Sequence, residues 1–377
     1  MTVAATPAAR ADRAAGVRAA PRFARGRAPF LVVAVAALLG GLWGALARLG
    51  LDVAAPATVI ASHGALMSMG FLGTVIALER AVALKRRAAY AAPTLAAIGS
   101  VGLLVGLPFA LWILAAGGLA FAITSAYMWH VRREAGIATM GVGGAAWMLA
   151  SVCLALGVPI SRLIPLVAAF LVLTIVGERL ELSALTHPPA WSRVAFTGAA
   201  ALVVVGAVVA VHWPPATVAA GIGLLALAAW LGVWDIAWRT VRRGGVTRYI
   251  AVALIAGYVW LAAGGITWVL VPDAPTMFAY DALIHTVFVG FVLSMIFAHE
   301  LVIVPAVLGI ALPFSRAFYA PLVLLHLSLA ARIAGDVLGD VSVWQAAAAT
   351  NVIAVLLFAA VTVASARGLL QPRTQAT

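Results

Sequence analysis

The sequence predicts an all-α membrane protein, and the prediction depends on its composition. Of the 377 residues, 65% are hydrophobic and only 10% are charged, whereas soluble domains carry about 25% charged residues. A chain with so little polar surface would expose large apolar patches in water, which excludes a soluble enzyme. Its hydrophobicity excludes a disordered chain. The single cysteine, Cys153, excludes an intramolecular disulfide and any cysteine-based zinc or iron–sulfur site.

A helix needs about 20 consecutive apolar residues to cross the hydrocarbon core of a bilayer. The chain holds about twelve such stretches, separated by short segments rich in Pro, Gly or charge. The stretch from Tyr280 to Leu312 is too long for one crossing, and we expect Pro305 to break or kink it. The predicted spans are 29–50, 58–80, 90–107, 109–130, 137–157, 160–182, 194–213, 216–238, 248–271, 279–300, 317–335 and 343–366.

The distribution of Lys and Arg predicts the orientation in the membrane. If the N-terminus is cytoplasmic, all but three of the 24 Lys and Arg lie on the cytoplasmic side, and the exceptions are Arg48, Arg162 and Arg332. This asymmetry follows the positive-inside rule. We therefore expect a multi-pass protein of the cell inner (plasma) membrane with both termini cytoplasmic. Topology then explains the net charge of +12, and no nucleic-acid partner is expected.

The two ends of the chain are more polar than its middle. Residues 1–28 are rich in Ala and Arg and are predicted to form a disordered basic cytoplasmic tail. An organellar targeting segment has a similar composition and stays an alternative. Residues 29–366 are predicted to form a single polytopic transmembrane domain, and residues 367–377 a second cytoplasmic tail.

Ionisable side chains at membrane depth are the main indicators of function in so apolar a chain. His63 on the second helix and His285 on the tenth are predicted to lie at similar depth in the outer leaflet, as two imidazoles must to ligate one haem iron. Met67, one turn after His63, either faces the same cavity or packs. His299 follows His285 by 14 residues. At 100° and about 1.5 Å per residue, this spacing places it on the same face of the helix and about 21 Å deeper in the membrane. It is a candidate for a separate site. For His326 we expect only a hydrogen bond to a neighbouring helix.

Every fourth helix places a carboxylate at its predicted cytoplasmic end. Such a repeat is expected when one four-helix unit is copied. We therefore predict three four-helix arcs around a pseudo-threefold axis, with the second, sixth and tenth helices inside. The carboxylates and their neighbours are expected to form a polar cluster that either locks the arcs together or admits protons. The predicted cluster consists of Glu79, Arg80, Glu178, Arg179 and Glu300.

Twelve helices in three arcs resemble the catalytic subunit of the haem-copper oxidases, in which the second and tenth helices ligate the low-spin haem. The local sequence is more similar to the NnrS family, membrane proteins that contain haem and copper and are linked to nitric oxide. Residues 63–71, HGALMSMGF, resemble that family's His-Gly-x-x-Met-x-x-Gly-Phe segment, and residues 285–295 resemble its late histidine helix. NnrS proteins commonly carry His and Glu two and three residues after the first histidine. Ala65 and Leu66 stand there instead, which weakens the case for copper.

The resemblance implies a haem-binding membrane protein with a redox or gas-related role, in nitric oxide response or detoxification. A b-type haem would lie between His63 and His285, and its partners would be nitric oxide and a quinol or other electron donor. Any catalysis would be that of a haem-dependent oxidoreductase. The sixth helix and the body of the seventh lack histidine, so the copper ligands of an oxidase have no counterparts and oxygen reduction is not expected.

Two other classes of function stay open. Twelve helices, buried carboxylates and Pro305 also suit a proton-coupled secondary transporter, in which His299 and Glu300 would carry protons and His63 would contact substrate. A threefold repeat argues against this class, because transporters usually repeat twofold. A structural or assembly subunit would hold no cofactor and would tolerate change at every histidine. No Walker loop, HExxH, GxSxG or CxxCH motif occurs, which argues against ATP-driven transport, metalloproteases, serine hydrolases and c-type haem.

Overall fold

The computed structural model describes residues 24–370, and the regular elements in this range are all helices. Twelve of them are long and apolar enough to cross a membrane, which confirms the prediction of an all-α protein with twelve spans. Of the predicted tails, residues 1–23 and 371–377 lie outside the described range. The twelve helices, α1 to α12 in chain order, are Arg25–Arg48, Ala57–Leu84, Arg87–Val105, Ala110–Arg132, Ala135–Ala155, Ile160–Thr186, Ala190–Ala210, Pro214–Trp234, Gly245–Leu270, Met277–Leu308, Arg316–Leu338 and Val341–Ala366.

The outward faces of these helices carry large apolar side chains. Val32, Val194 and Val259 are among the many that are largely exposed. Exposure of this extent around the whole molecule would be unfavourable in water. The chain is therefore a multi-pass membrane protein whose outer surface is covered by lipid.

Proline and glycine set several of the helix ends. Pro56 and Pro159 stand directly before α2 and α6. Proline is tolerated at the start of a helix but is disfavoured in its interior, because it lacks the N–H that interior hydrogen bonds need. Gly106 and Gly339 follow α3 and α11 with positive φ angles of 75° and 68°. This left-handed conformation ends a helix and is least unfavourable for glycine.

Hydrogen bonds between distant parts of the chain define the two ends of the bundle. At one end, the backbone N–H of Ala24 donates to the carbonyl oxygen of Leu308 at 2.8 Å, so α1 begins where α10 ends. At the opposite end, Nε2 of Gln345 donates to the carbonyl oxygen of Leu49 at 2.7 Å. We call the first the terminal end. The second is called the histidine end, because the two predicted haem ligands lie near it.

Helices α2, α6 and α10 form the centre of the bundle. Each of the three contacts the other two, and every residue of α6 from 163 to 174 is buried. A helix that is apolar on all sides belongs in an interior. The central position predicted for these helices is therefore confirmed, whereas the threefold symmetry of the surrounding arcs stays a prediction.

Two of the three central helices change from α to π geometry part-way along. The π segments are Leu66–Leu72 in α2 and Thr286–Leu293 in α10. They begin three residues after His63 and directly after His285. Such segments are rare and occur frequently at functional sites. They also invalidate the count of 100° per residue from His285 to His299, because a π turn holds more residues than an α turn.

Helix α10 is longer than the sequence predicted. Its end was expected near residue 300, with a break or kink at Pro305, but the helix continues to Leu308. A break at Pro305 is therefore ruled out, whereas a kink there stays a prediction. Proline is tolerated inside membrane helices where neighbouring groups and local adjustments satisfy the freed backbone carbonyl.

Helices α5 and α6 approach each other so closely that only glycine fits between them. A Cβ atom added to Gly177 would lie 2.6 Å from the carbonyl oxygen of Gly136. Backbones in membrane bundles approach in this way where small residues face each other. The contact brings the backbones of α5 and α6 together.

Candidate functional site

A cavity of about 260 Å³ lies inside the bundle at the histidine end. Residues of α1, α2, α6, α10, α11 and α12 line it, and His63 and His285 are both among them. Counted from the first residues of α2 and α10, the two histidines lie about 9 and 12 Å along their helices, at about 1.5 Å per residue. The structure thus brings together the two imidazoles that the sequence placed at one depth.

His63 is held by the backbone of α1. Its Nδ1 lies 2.7 Å from the carbonyl oxygen of Gly41, so Nδ1 donates and Nε2 is left as an acceptor. Glycine at position 41 also leaves room for Met67, since a Cβ there would lie 2.7 Å from its Sδ. Metal-ligating histidines almost always donate their other ring N–H in this way.

His285 is held by its own helix. Its Nδ1 lies 2.9 Å from the carbonyl oxygen of Asp281 and 3.2 Å from Oδ1 of the same residue, so this ring also keeps Nε2 as the acceptor. Nη2 of Arg332 on α11 lies 3.2 Å from that Nε2. A metal that takes Nε2 of His285 as a ligand must therefore displace a guanidinium N–H.

Asp281 and Arg332 form a buried ion pair beside this ring. Nε and Nη2 of Arg332 each lie 2.6 Å from one carboxylate oxygen of Asp281. The two side chains are only 10% and 8% exposed, and two parallel bonds of this kind are both strong and specific. Sequence reasoning assigned neither residue to the site and named Arg332 only as a cation away from the cytoplasmic side. The spacing of four from Asp281 to His285 was an available signal, because it places the two side chains on one helix face.

The rest of the cavity wall is mostly apolar. Helix α6 contributes Ile160, Ile164 and Val167. Met67 lines the cavity beside His63 and also packs against α1, so both roles considered for it are present in the structure.

The cavity fits a haem in chemistry better than in size. Two imidazole acceptors border it, its wall is mostly apolar, and Arg48 and Arg332 supply positive charge for the carboxylates of such a cofactor. Its volume lies just below the roughly 300–1,000 Å³ typical of small-molecule sites. Binding a macrocycle therefore requires side chains to move, Arg332 among them.

His299 lies toward the terminal end, apart from the cavity. Its Nδ1 lies 2.6 Å from the carbonyl oxygen of Met295. Its Nε2 is buried and has no hydrogen-bond partner among the described residues. Within residues 24–370, no three His, Cys, Asp or Glu side chains are arranged so that they could hold a metal ion. The resemblance to the NnrS family implies a copper ion, but residues 24–370 contain no group of three such side chains that could bind it.

The predicted polar cluster is assembled in part at the terminal end. Nη2 of Arg80 on α2 lies 2.8 Å from Oε1 of Glu178 on α6. The same atom lies 3.7 Å from Oε1 of Glu79. Two of the three central helices are therefore joined by an ion pair.

Two other members of the predicted cluster lie outside this pairing. Nε and Nη2 of Arg179 each lie 2.8 Å from one carboxylate oxygen of Asp235, which follows α8 and which sequence reasoning missed. Both side chains are almost wholly buried. Among the described residues, Glu300 makes no ion pair. The cluster thus does not extend to α10 through an ion pair in that part of the chain.

No curated protein and no solved structure matches this chain. A family model with the description "Domain of unknown function (DUF8744)" matches residues 27–367. That range includes the cavity, the two histidines that border it and the ion pairs at both ends of the bundle. The chain therefore belongs to the DUF8744 family.

Proposed function

We propose that this protein is an integral membrane haem protein in which His63 and His285 are the axial ligands. One observation carries the proposal: each ring fixes its Nδ1 on a backbone carbonyl oxygen, and both rings border the same cavity. A histidine that binds iron is neutral, with one nitrogen held by a hydrogen bond and the other available to the metal. In both rings Nδ1 is held by such a hydrogen bond. Nε2 of His285 becomes available to a metal once Arg332 moves away from it.

The similarity of residues 63–71 and 285–295 to the NnrS family supports a role in nitric oxide response or detoxification. A b-type haem held here by His63 and His285 would supply one-electron redox chemistry and could bind a gas. The apolar wall from α6 would exclude water. We infer a haem-dependent oxidoreductase that takes electrons from a quinol or another donor.

We further infer that the terminal end faces the cytoplasm of a cell with this protein in its inner membrane. In the described part of the chain, only Arg48, Arg162 and Arg332 among the Lys and Arg belong to the histidine end. The positive-inside rule assigns the end with the cations to the cytoplasm. The cavity then lies in the outer half of the bilayer.

The absorption spectrum of the purified protein tests the haem proposal. Protein expressed with full haem supply should show a Soret band and, on reduction, low-spin α and β bands. His63→Ala and His285→Ala should each abolish or shift these bands, because each removes an axial ligand. His212→Ala, which changes an exposed histidine at the same end, should leave them unchanged. Colourless wild-type protein, or unaltered bands in both ligand variants, would contradict the proposal.

A proton-coupled secondary transporter is the second candidate, and the unpartnered Nε2 of His299 favours it. A buried nitrogen of this kind suits a group that exchanges protons, with Glu300 beside it on the same helix and His63 contacting substrate. Proteoliposomes containing a pH-sensitive dye separate the two candidates. Haem-free protein that dissipates an imposed pH gradient, and loses this activity in His299→Gln, would favour transport. Haem-containing protein that moves no protons would exclude it.

A further inference from the structure

Asp336 is a buried carboxylate that lacks a hydrogen-bond partner. It lies on α11 and is 8% exposed. Neither of its carboxylate oxygens has a hydrogen-bond partner among the described residues. Buried polar groups in native proteins are nearly always hydrogen-bonded, and burying one without a partner is unfavourable. The position of Asp336 therefore requires an explanation.

Arg332 lies four residues before Asp336, so the two side chains share one face of α11. Asp336 lies close enough for its charge to interact with the carboxylate of Asp281 as well as with the guanidinium of Arg332. The guanidinium is nevertheless engaged elsewhere, since it pairs with Asp281 and covers Nε2 of His285. One guanidinium thus has two carboxylates within reach and is bonded to one of them.

We propose that Arg332 is a two-position latch on His285 and that Asp336 is its second position. In the first position, which the structure shows, the guanidinium covers Nε2 of His285. In the second position it turns to Asp336 and leaves Nε2 free for a ligand. The contact of Asp281 with Nδ1 keeps the ring in place. The inference rests on the proposed function, because it concerns how the haem site opens.

The two positions of Arg332 are similar in free energy, because each leaves one carboxylate without its full set of partners. Pairing with Asp281 leaves Asp336 beside that carboxylate without a cation from residues 24–370 bonded to it, and pairing with Asp336 weakens the bonds to Asp281. A ligand shifts such an equilibrium only if it binds the two states differently. Iron at Nε2 of His285 meets this condition, because the first position of Arg332 blocks that nitrogen.

Asp336→Asn tests the latch in protein with and without haem. Without haem, the change removes an unpaired buried carboxylate, so the thermal midpoint in detergent should rise or stay the same. With haem, Arg332 loses its second partner, so the affinity for haemin should fall about 10- to 100-fold, the factor expected for hydrogen bonds to charged groups. A purely structural carboxylate would instead shift the stability of both forms in the same direction.

Two matched variants control this experiment. Asp336→Glu keeps a carboxylate on the same helix face and should restore most of the haemin affinity. Asp52→Asn changes an exposed acid at the same end of the bundle and should alter neither quantity. Equal haemin affinity in wild type and Asp336→Asn would overturn the latch alone. A wild-type protein that binds no haemin would overturn the proposed function itself.

A second measurement uses the haem-free wild type and does not depend on the folding of a variant. Diethyl pyrocarbonate modifies neutral imidazole nitrogens, and mass spectrometry reports each site separately. Both histidines border one cavity, but only Nε2 of His285 is covered by Arg332. His285 should therefore be labelled more slowly than His63. Labelling at equal rates, or faster labelling of His285, would overturn the latch.

Discussion

The indole N–H of Trp260 on α9 donates to Nδ1 of His326 on α11 at 2.9 Å. Because Nδ1 accepts this bond, the ring carries its proton on Nε2, which lies 3.1 Å from Oγ of Ser294 on α10. His326 therefore joins three helices and has no nitrogen left for a metal. The expectation that it hydrogen-bonds a neighbouring helix is confirmed.

We predict that His326→Ala lowers stability without changing the haem spectrum. The substitution removes both hydrogen bonds and leaves the indole N–H of Trp260 without its acceptor, which lowers the free energy of unfolding by about 1–3 kcal/mol. The thermal midpoint in detergent measures this loss, with His212→Ala as the control. Altered α and β bands in His326→Ala at normal stability would show that the residue belongs to the cofactor site.

We predict that Glu178→Gln weakens the junction of α2 and α6 and leaves the spectrum unchanged. The pair of Arg80 with Glu178 is partly exposed, so the loss should be about 1 kcal/mol or less. The difference in thermal midpoint from wild type should shrink at high salt, because ions screen such pairs. Loss of a proton-linked activity at unchanged stability would show instead that this part of the cluster admits protons.

The twelve helices could be predicted because crossing a bilayer demands a long apolar stretch, which the sequence displays directly. The π segments beside His63 and His285 could not, because the hydrogen-bond register of a helix leaves no mark on its hydropathy. The π segment between His285 and His299 is the reason that counting 100° per residue does not establish whether the two side chains share a helix face.

The buried ion pairs were missed for a different reason. Asp281 and Arg332 are 51 residues apart in the chain, and Arg179 and Asp235 are 56 apart. Sequence proximity favoured the neighbouring residues of the predicted cluster as partners. Partners on different helices are set by the packing of the bundle, which one sequence does not reveal.

We predict that Gly177→Ala and Gly198→Ala have effects of opposite sign. The added methyl group at Gly177 would meet the backbone of α5, and overpacking of this kind lowers stability by about 1–3 kcal/mol. At Gly198 on α7, no atom of residues 24–370 lies within 4 Å of the new Cβ, so the better helix propensity of alanine should raise stability slightly. Thermal midpoints in detergent measure both. Equal effects of the two changes would contradict the close contact of α5 with α6.

We predict that Asp235→Asn is among the most destabilising single changes and that a second substitution largely reverses it. The pair of Asp235 with Arg179 is buried, and removing one partner of such a pair lowers stability by about 3–5 kcal/mol because a charge is left unpaired. Asparagine keeps the oxygen that accepts the backbone N–H of Ala237 at 2.7 Å. In the double variant Arg179→Met with Asp235→Asn, neither charge of this pair remains, so most of the thermal midpoint should return. A double variant no more stable than Asp235→Asn would show that the unpaired guanidinium is not the cause.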